Sequence, residues 1–99
     1  MSGADAAGKA AFPSEEAVEE AILALAGRPG APRSIDPAEP ARALAGDAED
    51  WQRLLPAVRR SAIRLAKAGK LVIYRKGKPV DPEDFRGVYR LGLPQPDAP

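Results

Sequence analysis

Trp51, Leu55, Val58, Ala62 and Leu65 follow one another at steps of three and four, with Ala66 beside the last, and Gly69 ends the run. That period specifies an amphipathic helix of roughly four turns with one apolar face. Directly behind it Leu71-Val72-Ile73-Tyr74-Arg75 is a β-rich run, so the chain passes from its longest helix into a strand almost without a linker. Pro56 falls on the outward side of the helical pattern. It predicts either a kink or a short helical turn at 48–54 leading into a main helix at 56–68. Trp51 reads as a large core anchor rather than as a base-stacking residue.

Two shorter helices precede this segment. Ser14 is a candidate N-cap, Glu15 and Glu16 suit the positive end of the helix dipole, and Val18, Ala21, Ile22 and Leu25 recur at helical spacing before Gly27. Helix one is expected at 15–26, with Glu15, Glu16, Glu19 and Glu20 on an outer face directed away from any nucleic acid. The Gly/Pro-rich stretch from Gly27 to Arg33 is a loop, and Ser34-Ile35 allows a strand pairing of one or two residues. Asp36-Pro37-Ala38-Glu39 then combines an N-cap Asp, a Pro at the first helical position and a capping-box Glu. Helix two is expected at 37–45, closed by Gly46, with Pro40 distorting its first turn. Beyond the first strand, Lys76-Gly77-Lys78-Pro79 reads as a turn and Gly87-Val88-Tyr89-Arg90-Leu91 as a second strand after a long connection. The order helix, short strand, helix, helix, strand, turn, strand is that of an α+β winged helix: a three-helix helix-turn-helix core with a two- or three-stranded β wing.

What surrounds this pattern narrows the function. Ala, Pro and Gly make up 40 of the 99 residues, so one small core is all the chain supports. It is expected at 13–93, with 1–12 and 94–99 as disordered tails. His, Cys, Thr and Asn are absent. Cys and Thr nucleophiles, a Ser-His pair, a disulfide framework and a zinc finger are thereby excluded, and no phosphate-binding glycine loop occurs. The expectation is a binding module, not an enzyme, with no metal or cofactor. Asp81, Glu83 and Asp84 lie close enough to suggest a hard cation, but a solvated acidic loop explains them better. No apolar run is long enough for a membrane span and no signal segment is recognisable, so a cytoplasmic location without membrane attachment is expected.

Charge is segregated along the chain. Residues 1–50 carry four basic and ten acidic side chains, residues 51–99 eleven basic and four acidic, and 51–80 nine basic with no acid. A single Lys or Arg usually does no more than solvate a surface. Nine without an intervening acid favour a polyanion as partner.

The pieces PAEPARAL, WQRLLPAVRRSAIRLAKAGKLVIYRKGKPVDP and GVYRL resemble a family of small bacterial proteins classed as a domain of unknown function and described as winged-helix-like. The resemblance spans residues 15–93 and rests on Ala41-Arg42, Trp51, Val58-Arg59-Arg60, the LAKAGK stretch and KGKPVDP. It implies the fold and assigns no ligand. The family commonly reads Pro-Ser-Glu-Val where this chain has Pro37-Ala38-Glu39-Pro40, a departure confined to the first turn of helix two.

With Val58, Ala62 and Leu65 inward, Arg60, Arg64 and Lys67 fall within about 60° of one another on the outer side of helix three, flanked by Arg59. Arg75, Lys76 and Lys78 surround Gly77 at the wing tip. These seven residues are the candidate site for double-stranded DNA, the helix toward the major groove and the wing along the backbone. The near absence of neutral polar side chains favours phosphate contact over base reading, and a solvated arginine face explains the helix as well as sequence-specific recognition does. Ile63, toward the exposed side, suggests a partner or core contact outside the simple wheel. The alternative is a protein-interaction winged helix whose basic face meets an acidic partner, including helix one of a second copy in a weak head-to-tail homodimer.

Overall fold

The computed structural model describes residues 13–94, so the expectations for the two terminal segments lie outside the described residues apart from Pro94. Helix α1 spans Glu15–Gly27. The Ser14 hydroxyl accepts the Ala17 amide at 3.1 Å, as a cap should, and Val18, Ile22 and Ala26 form the buried stripe. Helix α2 spans Ala38–Ala45, and Asp36 Oδ1 accepts the Ala38 amide at 2.8 Å. Helix α2 runs through Pro40 without interruption. This proline is the third helical residue, where an amide has no intrahelical acceptor in any case, and its ring is fully buried against the core. Gly46, at φ 62°, closes α2 by donating its amide to the Arg42 carbonyl.

Of the two outcomes that Pro56 allowed, the structure has the short turn. Trp51–Leu54 form a 3-10 turn and α3 follows at Leu55–Lys67, with Pro56 in the first turn. Strands β1 (Val72–Arg75), β2 (Lys78–Pro79) and β3 (Arg90–Gly92) form an antiparallel sheet in the order β2-β1-β3. Two differences from the expected wing matter most. The turn contracts to Lys76-Gly77, because Lys78 and Pro79 pair with Arg75 and Tyr74. The last strand shifts to Arg90–Gly92, whose register is Tyr74 with Arg90, Ile73 with Leu91 and Val72 with Gly92. Pro79 is tolerated because β2 is an edge strand. Ile35 pairs with Leu91 through hydrogen bonds of 2.7 and 2.9 Å in both directions.

Lys76 (φ 54°) and Gly77 (φ 82°) are both left-handed, as a two-residue hairpin matching the sheet twist requires. Gly77→Ala should therefore lower the unfolding free energy by about 1–2 kcal/mol in a urea titration. An unchanged midpoint would mean that the hairpin relaxes to another turn type.

Ile22, Ile35, Ala41, Val58, Ile73 and Leu91 are at most 1% exposed and join the three helices to one sheet face. Trp51 is not the anchor of this core. Its ring is half-buried against the cluster, and the Arg42 guanidinium lies 4.5 Å from the ring centre. Ile63 is half-buried and packs on the core, which accounts for its position on the wheel. Three helices and a three-stranded antiparallel sheet make an α+β arrangement consistent with a winged-helix-like fold. Among the described residues no helix is long and apolar enough to cross a membrane.

Candidate functional site

Strand alternation turns Ile73 and Leu91 toward the helices and Tyr74 and Arg90, which are partners in the register, to the opposite face of the sheet. Gly92 lies on that outer face, and a Cβ there would collide with the Arg33 carbonyl oxygen and press on the Tyr74 ring. The missing side chain lets the Arg33-Ser34 backbone lie directly on the sheet. Arg33 then extends over the Tyr74 ring, its guanidinium carbon 5.5 Å from the centre. Arg90 donates through Nε to Ser34 Oγ and through Nη2 to the Ser34 carbonyl, both at 2.8 Å. Together with Lys76 and Gly77 of the hairpin, these residues line a pocket of about 90 Å³. No carboxylate lines it, and Arg33, Lys76 and Arg90 have no carboxylate partner among the described residues.

Helix α3 presents a different picture. Arg64 donates to Glu19 at 2.8 Å and to the buried Ser61 hydroxyl at 2.9 Å, and lies 3.8 Å from Glu15. Lys67 meets Glu83 at 2.8 Å, a hydrogen bond that raises the ammonium pKa above its ordinary value. The acidic side of α1 is therefore not remote from the basic helix, because Glu15 and Glu19 both meet Arg64. Arg59 is turned inward, stacked over Phe85 at 4.1 Å and near Tyr89 at 5.9 Å, and donates to the Phe85 carbonyl at 3.0 Å. It clamps the loop before β3 to α3. Burial raises the Tyr89 phenol pKa, an effect that the Arg59 charge opposes. Arg60 alone of the four is exposed and without a carboxylate partner among the described residues.

The wing cations also divide. Lys76 joins the pocket, whereas Arg75 donates to the Val88 carbonyl at 2.9 Å and stands opposite the exposed Lys78 in the register. Of the seven sequence-predicted residues, the pocket takes in Lys76 alone. Arg33, Ser34 and Arg90 carry no sequence signal for a common site, because Arg33 ends a Gly/Pro-rich loop, Ser34 begins a pairing of one or two residues and Arg90 lies in a strand whose partner the sequence does not name. Alternation within β3 would have placed Arg90 opposite the buried Leu91. Nothing in the sequence brings Arg33 to them. The acidic loop is spent locally: Asp81 Oδ1 accepts the Glu83 amide at 2.9 Å and Glu83 holds Lys67. No cluster of three His, Cys, Asp or Glu able to hold a metal occurs among the described residues.

A second surface feature is apolar. Trp51, Leu55, Val88 and Tyr89, with Pro37 and Ala38, line an open groove of about 510 Å³ flanked by Asp36 and Arg42, and Val88 is 84% exposed.

No curated protein matches the chain. A family model matches residues 15–94, from the first residue of α1 to just beyond β3, and the chain therefore belongs to the family described as Protein of unknown function (DUF3253).

Proposed function

We propose that this domain binds nucleic acid, duplex DNA foremost, without catalysing a reaction, using the outer sheet face as its primary contact and the exposed side of α3 as its second. The convergence of Arg33, Lys76 and Arg90 on one pocket with no carboxylate around it carries this reading. Cations left unpaired by their own fold retain their full attraction for phosphate. Lys78 and Arg60 extend the contact. Arg64, held by surface carboxylates and the Ser61 hydroxyl, and Lys67, held by one surface carboxylate, can exchange a carboxylate for a phosphate at little cost. With Arg supplying nearly all the donors, the binding is to backbone more than to sequence.

Fluorescence anisotropy with a labelled mixed-sequence duplex tests the reading. Three phosphates, at the pocket, Lys78 and Arg60, predict a log–log salt slope of about −2.7, so affinity falls about 40-fold between ~50 and ~200 mM salt. Absence of binding at the lower salt overturns it.

The groove of Trp51, Leu55, Val88 and Tyr89 favours a second reading, a protein-interaction module, since a large apolar side chain as exposed as Val88 gains by being covered. The earlier alternative, a basic face meeting the acidic helix of a second copy, loses appeal because Glu15 and Glu19 are paired within the chain. Association through the groove would persist at high salt and be weakened by Val88→Ser, in contrast to binding through the cations.

A further inference from the structure

We infer that the pocket formed by Arg33, Ser34, Tyr74, Lys76, Gly77 and Arg90 is a receptor for a single phosphomonoester, such as the phosphorylated end of a nucleic-acid strand, which it prefers to a backbone diester. The inference deepens the nucleic-acid reading and in its oligonucleotide form rests on it. At about 90 Å³ the pocket is far below the ~300–1,000 Å³ that enclose a whole small-molecule ligand, so it admits one compact charged group.

Its charge matches that group better than it matches a diester. Three cations converge on the pocket, a monoester carries about −1.5 to −2 at neutral pH, and a diester carries a single charge. A monoester also leads with three free oxygens where a diester has two. The donors are present: Arg90 spends two of its N–H groups on Ser34 and keeps the others, and Lys76 brings a freely rotating ammonium. The geometry is set before a ligand arrives. Ser34 fixes the plane of the Arg90 guanidinium, and Gly92 lets the Arg33 backbone rest on the sheet, so little ordering cost remains for binding. The recess lies between the hairpin tip, the sheet face and the Arg33-Ser34 segment, and its small volume suits a terminal phosphate, which carries one flanking sugar, better than an internal phosphate, which carries two.

The test compares the full chain binding a short single-stranded oligonucleotide with a 5′-phosphate and the same oligonucleotide with a 5′-hydroxyl. The phosphorylated strand should bind about tenfold more tightly. Arg90→Gln and Lys76→Gln, both at exposed positions, should each erase most of that preference. The preference should also fade as pH is lowered through about 6, where the monoester dianion takes up a proton and its charge falls toward that of a diester. Equal affinity for the two strands overturns the inference and leaves the backbone-binding reading intact. So does a preference that survives both substitutions. If neither strand binds but inorganic phosphate shifts the Gly77 amide resonance, and Arg90→Gln abolishes the shift, the receptor stands and the nucleic-acid reading falls.

Discussion

Leu91→Ala should be among the most destabilising single substitutions in the domain. Leu91 is fully buried, pairs with Ile73 on one side and exchanges two hydrogen bonds with Ile35 on the other, and its side chain packs in the cluster that joins sheet to helices. Truncating such a leucine typically costs about 2.7–5 kcal/mol, because surrounding atoms only partly fill the cavity. A domain of this size has about 4–12 kcal/mol in all. Urea or thermal unfolding should therefore show a transition at much lower denaturant or temperature, or none at all. Trp51→Ala provides the contrast. Its ring meets the core on one side and Arg42 on the other, so the loss should be about half the ~3–5 kcal/mol of a fully buried aromatic. A larger loss for Trp51→Ala than for Leu91→Ala would show that the ring, and not the Ile35–Leu91–Ile73 ladder, holds the domain together.

The helices were legible in the sequence because their signals are local. Ser14 and Asp36 accept the amides that the capping patterns assign them, and the apolar period of α3 survives with Val58, Ala62 and Leu65 buried. Pro40 and Trp51 depend on position to within a residue or on tertiary context: α2 begins at Ala38, which puts Pro40 on an amide with no intrahelical acceptor, and the Trp51 ring lies at the edge of the core. The hairpin boundary was blurred because Lys78-Pro79 has turn-like composition, and only pairing with β1 makes it a strand.

The charge pattern was legible along the chain but not in space. Residues 51–80 contain no acid, yet α1 lies against α3 and delivers Glu15 and Glu19 to Arg64, while Glu83 arrives at Lys67 from beyond the run. In the other direction, the Ile35–Leu91 bridge draws Arg33 and Ser34 from the acidic half of the chain onto Tyr74 and Arg90. A count of charges by position thus overstates α3 and misses the outer face of the sheet, because tertiary proximity decides which cations keep a carboxylate.

That redistribution sets the expected order of effects in duplex binding. Replacing Arg33 and Arg90 by Gln should disable the pocket, reduce the salt slope from about −2.7 to about −1.8, and weaken binding at low salt by roughly tenfold. Replacing Arg64 and Lys67 by Ala should do less, since their charges are already matched by Glu19, Glu15 and Glu83 and the paired form contributes little outward field. Removing the carboxylates instead should strengthen binding. Glu15→Gln with Glu19→Gln leaves Arg64 held by the Ser61 hydroxyl alone, adds about one phosphate contact and steepens the slope to about −3.6, with a severalfold gain at low salt. The same double substitution should shift stability by no more than about 1 kcal/mol, because the pairs it breaks lie at the surface. If the Arg64 and Lys67 variant loses more affinity than the Arg33 and Arg90 variant, α3 is the principal contact and its carboxylates are displaced on binding. If the Glu15 and Glu19 variant binds no better than wild type, α1 does not shield the face that meets the polyanion.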